Sequence, residues 1–91
     1  MNNIIRIAGI NYIINFIDDL SNDQECSGRV LIKKGEILID SSMCQDMRNA
    51  TILHEVLEVI NSENELKLEH HVIQCLATQL YQVLKDNKEV F

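Results

Sequence analysis

The hydrophobic period of this chain changes once, at Asp40, and that change limits what it can fold into. From Asn3 to Asp40 the apolar residues are mostly β-branched and broken by turn signals; beyond Asp40 they recur at i, i+3, i+4 and i+7. A strand-like first half and a helix-like second half describe an α+β domain. Ile10–Ile17 is rich in strand formers and is followed by the polar break Ser21–Gln24. Gly28–Lys33 and Glu36–Asp40 alternate as two strands, with Lys34-Gly35 as the hairpin turn between them. Ile4–Ala8 reads as a further short strand that turns back at Gly9. The expectation is a small antiparallel sheet of three to four strands, a meander, followed by two helices packed on one of its faces.

The first helix is expected over about 43–61, capped by Ser41 or Ser42, with Leu53, Val56, Leu57 and Ile60 as its apolar stripe. Ser62–Glu65 is a polar break. The second helix is expected over about 67–86, with Ile73, Leu76, Ala77, Leu80 and Leu84 on one face and Asp86-Asn87 ending it. No repeat or linker divides the sequence, so residues 1–91 read as one domain, with strands over about 3–40.

Composition narrows the function. With 46% hydrophobic residues, no Pro and three Gly, the chain is neither collagenous nor disordered. Fourteen acidic against eight basic residues give a net charge of −6, which argues against a nucleic-acid partner, because phosphates are neutralised by clustered Lys and Arg. No apolar run approaches the roughly 20 residues of a membrane span, so no membrane partner is expected. Arg6 interrupts the apolar N-terminal stretch and no small-residue cleavage site follows it, so the sequence reads as cytoplasmic. Cys26, Cys44 and Cys75 form no C-x-x-C pair and read as core-filling thiols in a reducing compartment. A chain this short buries only about 60–65% of its unfolded surface, so a bound metal or a partner chain would add needed stability.

The stretch that carries chemistry is Ala50-Thr51-Ile52-Leu53-His54-Glu55-Val56-Leu57-Glu58. His54 and Glu58 stand four apart and project from one helix face, with Glu55 beside His54. This is the layout of the H-E-x-x-H zinc helix, in which two ligands at i and i+4 bind the metal and the Glu is the general base, here with Glu58 in the second ligand position. Read alone, the same residues also describe a solvated acidic face. On the second helix His70 falls about 60° from the centre of the apolar stripe, so it can point to the first helix, whereas His71 falls on the polar face with Gln74 and Thr78. Glu69 lies near the stripe on its other flank and is a rival for the same role. His54, Glu58 and His70 together would supply two imidazoles and one carboxylate, the donor set of a catalytic zinc site with one open position. Asp18, Asp19 and Asp23 lack calcium-loop spacing and read as a solvated turn. Tyr81 reads as half-buried, with a hydroxyl that could donate to a reacting carbonyl, and Met43 and Met47 read as core or interface fillers.

Met47-Arg48-Asn49-Ala50-Thr51-Ile52-Leu53-His54-Glu55, set after the strands and followed by Leu76–Asn87, resembles the small zincin-like proteins of phages and prophages related to the ImmA/IrrE metallopeptidases. The resemblance runs from about Ile7 to Asn87. It implies a minimal zincin core, with His54 as first zinc ligand, Glu55 as general base and Glu58 in place of the second ligand His. The third ligand in many members of that family is an acidic residue early in the second helix, where Glu69 and His70 both stand; His70 is favoured because zinc is better served by a second nitrogen donor. The expected activity is zinc-dependent hydrolysis of a peptide bond in a regulatory protein. The alternative is an inactive zincin-fold module that binds a host or phage regulator, and a third class is a metal-free structural protein or homodimer.

Overall fold

The computed structural model describes residues 3–20 and 27–91. Its strands are β1 (Ile4–Ile7), β2 (Ile10–Ile17), β3 (Gly28–Leu31) and β4 (Glu36–Asp40), and its long helices are α1 (Gln45–Glu63) and α2 (His70–Asp86). The α+β class read from the sequence is the class observed. The expected turn Ser21–Gln24, together with Asp23 and Cys26, lies outside the described residues.

β1 and β2 form a hairpin in which Ile7 pairs with Ile10, so Ala8 and Gly9 alone make the turn. Both have positive φ, 52° and 81°, the type I′ geometry whose twist matches the flanking strands. β3 and β4 form the second hairpin, closed by a single 3-10 turn over Ile32–Lys34 and by Gly35 at φ 62°. The loop is thus the four residues between the paired Leu31 and Glu36, and the expected two-residue Lys34-Gly35 turn is corrected: Ile32 and Lys33, read as strand, belong to the loop.

The four strands lie in the order β1-β2-β4-β3, and the central pair β2–β4 is parallel. The sheet is therefore mixed, and the expected antiparallel meander is corrected at this pair. The reason lies in composition. β4 carries Ile37, Leu38 and Ile39 in succession, with Ile37 and Ile39 fully buried, and a near-continuous apolar strand belongs in the middle of a sheet. β3 carries Gly28 and the exposed Arg29, which suit an edge. Because the second hairpin is tight, placing β4 beside β2 puts β3 outermost.

The core forms where α1 crosses this sheet. Ile7, Tyr12, Ile37 and Ile39 meet Val59, with Ile52 and Val56 of α1 and Met43 packed round them. The face of α1 turned to the sheet is thus Ile52, Glu55, Val56 and Val59, not the Leu53–Val56–Leu57–Ile60 stripe that periodicity suggests. Only α1 covers the sheet broadly; the main packing of α2 is against α1. So Ile73 and Ala77 are buried while Leu76, Leu80 and Leu84, expected on the same inner face, stay exposed. Cys44 and Cys75 are exposed rather than core-filling, and Met47 is exposed as well. The N-cap of α1 is Cys44, without a side-chain bond. Ser42 instead gives its backbone N–H and its hydroxyl to the buried carboxylate of Asp40, at 2.9 and 2.7 Å, an Asx-type turn that competes with capping.

Tyr12 is fully buried and its hydroxyl has no hydrogen-bond partner among the described residues. Its ring is the contribution to stability; its hydroxyl is a desolvated polar group. Tyr12→Phe is therefore expected to leave the unfolding free energy unchanged or raise it by about 1 kcal/mol, and Tyr12→Ala to lower it by about 3–5 kcal/mol, as read by urea denaturation.

Candidate metal centre

His54 and Glu58 sit one turn apart on the side of α1 that faces α2. His70 opens α2, and the route to it is held by Asn61, whose Oδ1 accepts from the Leu68 N–H at 2.9 Å. Between the helices Glu65 and Lys67 adopt left-handed φ of 49° and 59°, a conformation that favours glycine. This bent connection delivers the His70 imidazole to the end of α1. The Nε2 of His54 lies 3.5 Å from the Oε2 of Glu58, and the Nδ1 of His70 lies 3.6 Å from the same oxygen. The two imidazole rings are 4.8 Å apart, centre to centre. Ligand atoms of all three residues fall within 4.8 Å of one another, and the group could hold a metal ion. Glu69 and His71 are not in it; His71 points instead towards Cys75, 3.9 Å away on the solvent side.

The donor set fits a tetrahedral ion. Two atoms each about 2.1 Å from one zinc stand about 3.4 Å apart, and both imidazole-to-carboxylate distances are within a few tenths of that. The imidazole pair must close further, and His70, 74% exposed at its side chain, has the freedom to do so. His54 is buried, and its Nδ1 has no hydrogen-bond partner among the described residues. Burial, and then the charge of His70, hold its pKa below the ordinary 6.5, with Glu58 and Gln74 pulling the other way. The ring is therefore neutral at pH 7 with a lone pair to give.

Glu55 is buried on the sheet-facing side of α1. Burial, reinforced by the charge of Glu58, raises its pKa to about 7. Above it runs the start of β3, and the approach is close. A Cβ on Gly28 would stand 2.6 Å from Thr51 Cγ2 and 3.2 Å from Glu55 Oε2. Glycine here is a matter of space, because only hydrogen fits between strand and helix.

These residues line a cleft of about 1000 Å³ between β3, α1 and α2. Met43, Met47, Thr78 and Tyr81 line it as well. The Tyr81 hydroxyl donates to Asp46 Oδ1 at 2.6 Å, and Lys85 donates to the same oxygen at 2.8 Å. Those bonds lower the Asp46 pKa and commit the Tyr81 proton to Asp46, away from any reacting carbonyl. Asp18, of the expected solvated turn, accepts from the Ser41 hydroxyl, and Asp19 has φ 56°. Gly28, Asn61 and the Asp46–Tyr81 bond escaped the sequence reading. A glycine inside a strand pattern was the one available signal of a close backbone approach.

Comparison with protein families, curated proteins and solved structures finds no match to this chain.

A carboxyl whose pKa rises on folding favours the folded state while protonated. Its contribution is full below about 4.5 and is lost as pH climbs through about 7. In chelator-treated protein, Glu55→Gln should match the original chain near pH 4.5 and exceed it by about 2–3 kcal/mol at pH 8. Urea unfolding across that range checks this, and a gap independent of pH would show that Glu55 titrates normally. Gly28→Ala should cost about 1–3 kcal/mol by overpacking, read as a lower melting temperature.

Proposed function

We propose that the chain is a zincin-like, zinc-dependent hydrolase of peptide bonds, of phage or prophage type and acting in the cytoplasm on a regulatory protein. The observation that carries the proposal is the convergence of His54, Glu58 and His70 on one point within 4.8 Å, beside the buried Glu55 in an open cleft. His54 and His70 would hold the ion through nitrogen and Glu58 through oxygen, leaving one position open. Zinc, when bound, supplies Lewis acidity that brings the pKa of a water molecule down towards about 7.

The remaining chemistry belongs to the protein. Glu55, with its pKa about 7, is matched to take a proton from water at neutral pH and to return it to the leaving amine. Packing under β3 limits the movement of its carboxylate and keeps bulk water from one side. The cleft offers a substrate apolar lining at Met43 and Met47 and polar lining at Thr78 and Gln74. No helix among the described residues is long and apolar enough to cross a membrane.

Metal content by plasma mass spectrometry tests the metal, and a peptidase screen tests the chemistry. One zinc per chain is expected, lost in His54→Ala and in Glu58→Ala. Glu55→Gln is expected to keep the zinc and lower kcat about 10²–10⁴-fold. Failure to take up added zinc would overturn the proposal. Zinc uptake that depends on His54, with no hydrolysis that depends on Glu55, would leave the inactive binding module instead.

A further inference from the structure

α2 is added to the outside of the packed sheet and α1. The core of Ile7, Tyr12, Ile37, Ile39 and Val59, with the partly buried side chains packed round it, includes no residue of α2. Of the 17 residues of α2 only Ile73 and Ala77 are buried, and the main packing of the helix is against α1. Its last turn is tied by the Lys85–Asp46 pair at 2.8 Å, but both side chains are exposed, and exposed ion pairs hold weakly. Its start is reached through residues whose backbone is unfavourable: Glu65 and Lys67 hold left-handed φ of 49° and 59° without being glycine, a conformation that persists only while surrounding contacts hold it. The Asn61–Leu68 bonds that steady this connection are exposed to water. Glu69, the N-cap of α2, makes no side-chain bond to the helix. A segment held by so little buried surface opens before the core does.

We propose that metal occupancy governs the docking of α2 on α1, so that the cleft is complete only in the loaded chain. His54 and Glu58 are brought together by α1 itself, because i and i+4 meet on any helix. His70 arrives only with α2. The docked chain therefore presents three ligand atoms within 4.8 Å of one another, and the undocked chain presents two. A ligand shifts an equilibrium by the difference in its affinity for the two states, and here the whole difference rests on one side chain at the start of the weakly held helix. The consequence reaches beyond the ion. His70, Gln74, Thr78 and Tyr81 all line the cleft, and their spacing of four, four and three sets them along one face of α2. Undocking removes all four at once and leaves only the β3 and α1 side of the cleft. The chain thus engages a substrate in the loaded state alone. The proposal rests on the metal centre described above, and it is independent of hydrolysis.

Amide hydrogen exchange of the full chain, followed by NMR alongside zinc content, tests it. In zinc-free protein the amides of residues 73–80 should be at least about 30-fold less protected than those of β2 and β4. Zinc should then raise their protection about tenfold for each tenfold rise in free zinc above its dissociation constant. His70→Ala removes a side chain that is 74% exposed; it should keep the fold and leave the protection of α2 independent of zinc. If α2 is as protected as β2 and β4 without zinc, the helix opens only with the whole molecule and the proposal is overturned. One bound zinc per chain that leaves the protection of α2 unchanged would overturn it too, while the metal centre would stand. A His70→Ala chain that responds to zinc as the original does would do the same. A chain that takes up no zinc would overturn the proposal and the metal centre together. The zinc titration is read on the original chain and decides the question even where the variant fails to fold.

Discussion

The structure depends on α1 having no free side along its middle turns. One face meets the sheet through Ile52, Val56 and Val59, and the neighbouring face meets α2. Both contacts use the same short stretch of sequence, so each residue there is assigned to one neighbour or the other. Glu55 is turned to the sheet and buried, while His54 and Glu58, on either side of it in sequence, are turned to α2. A helix rotates by about 100° per residue, and that rotation separates a desolvated carboxylate from a pair of ligand-type side chains. Without the sheet Glu55 would be an ordinary solvated acid; without α2 the pair His54–Glu58 would have no third group.

The electrostatic character of the centre follows from this placement. In an acidic chain, a carboxylate under β3 and another one turn away repel each other, and burial adds to the cost of ionising the inner one. The outer carboxylate, Glu58, is shared between two imidazoles. The far end of the helix pair uses opposite charges: Asp46 in the first turn of α1 takes Lys85 from the last turn of α2, with each charge also matching its helix dipole. One end of the pair is thus tied by an ion pair and the other by a cluster suited to a cation.

Local chemistry made much of the fold legible. Ala8-Gly9 and Lys34-Gly35 sit where two-residue and longer hairpin turns require positive φ, and Gly in each marks the place. The change of period at Asp40 separates strands from helices because side chains repeat every two residues in one and every 3.6 in the other. The His54–Glu58 spacing was equally plain, since i and i+4 meet on any helix. Strand order was less so. Whether β3 or β4 lies beside β2 goes with which carries the more continuous apolar run, and the succession Ile37-Leu38-Ile39 carries that information only once the alternatives are compared. The apolar stripes on the helices misled for a related reason: periodicity says that a face is apolar and not which neighbour covers it, so Leu76, Leu80 and Leu84 looked like core and lie outside it.

What the sequence by itself determined is the set of local preferences: an α+β class, two hairpin turns, two amphipathic helices and a His-Glu pair held one turn apart. These depend on residues close in the chain, whose relations any strand or helix imposes. What only the tertiary structure decided is the parallel central pair, the burial of Glu55 beneath Gly28, and the arrival of His70 rather than Glu69 beside Glu58. Each of these depends on the angle and distance between elements far apart in sequence. Those are set by competition for one small buried volume, which no segment can report alone.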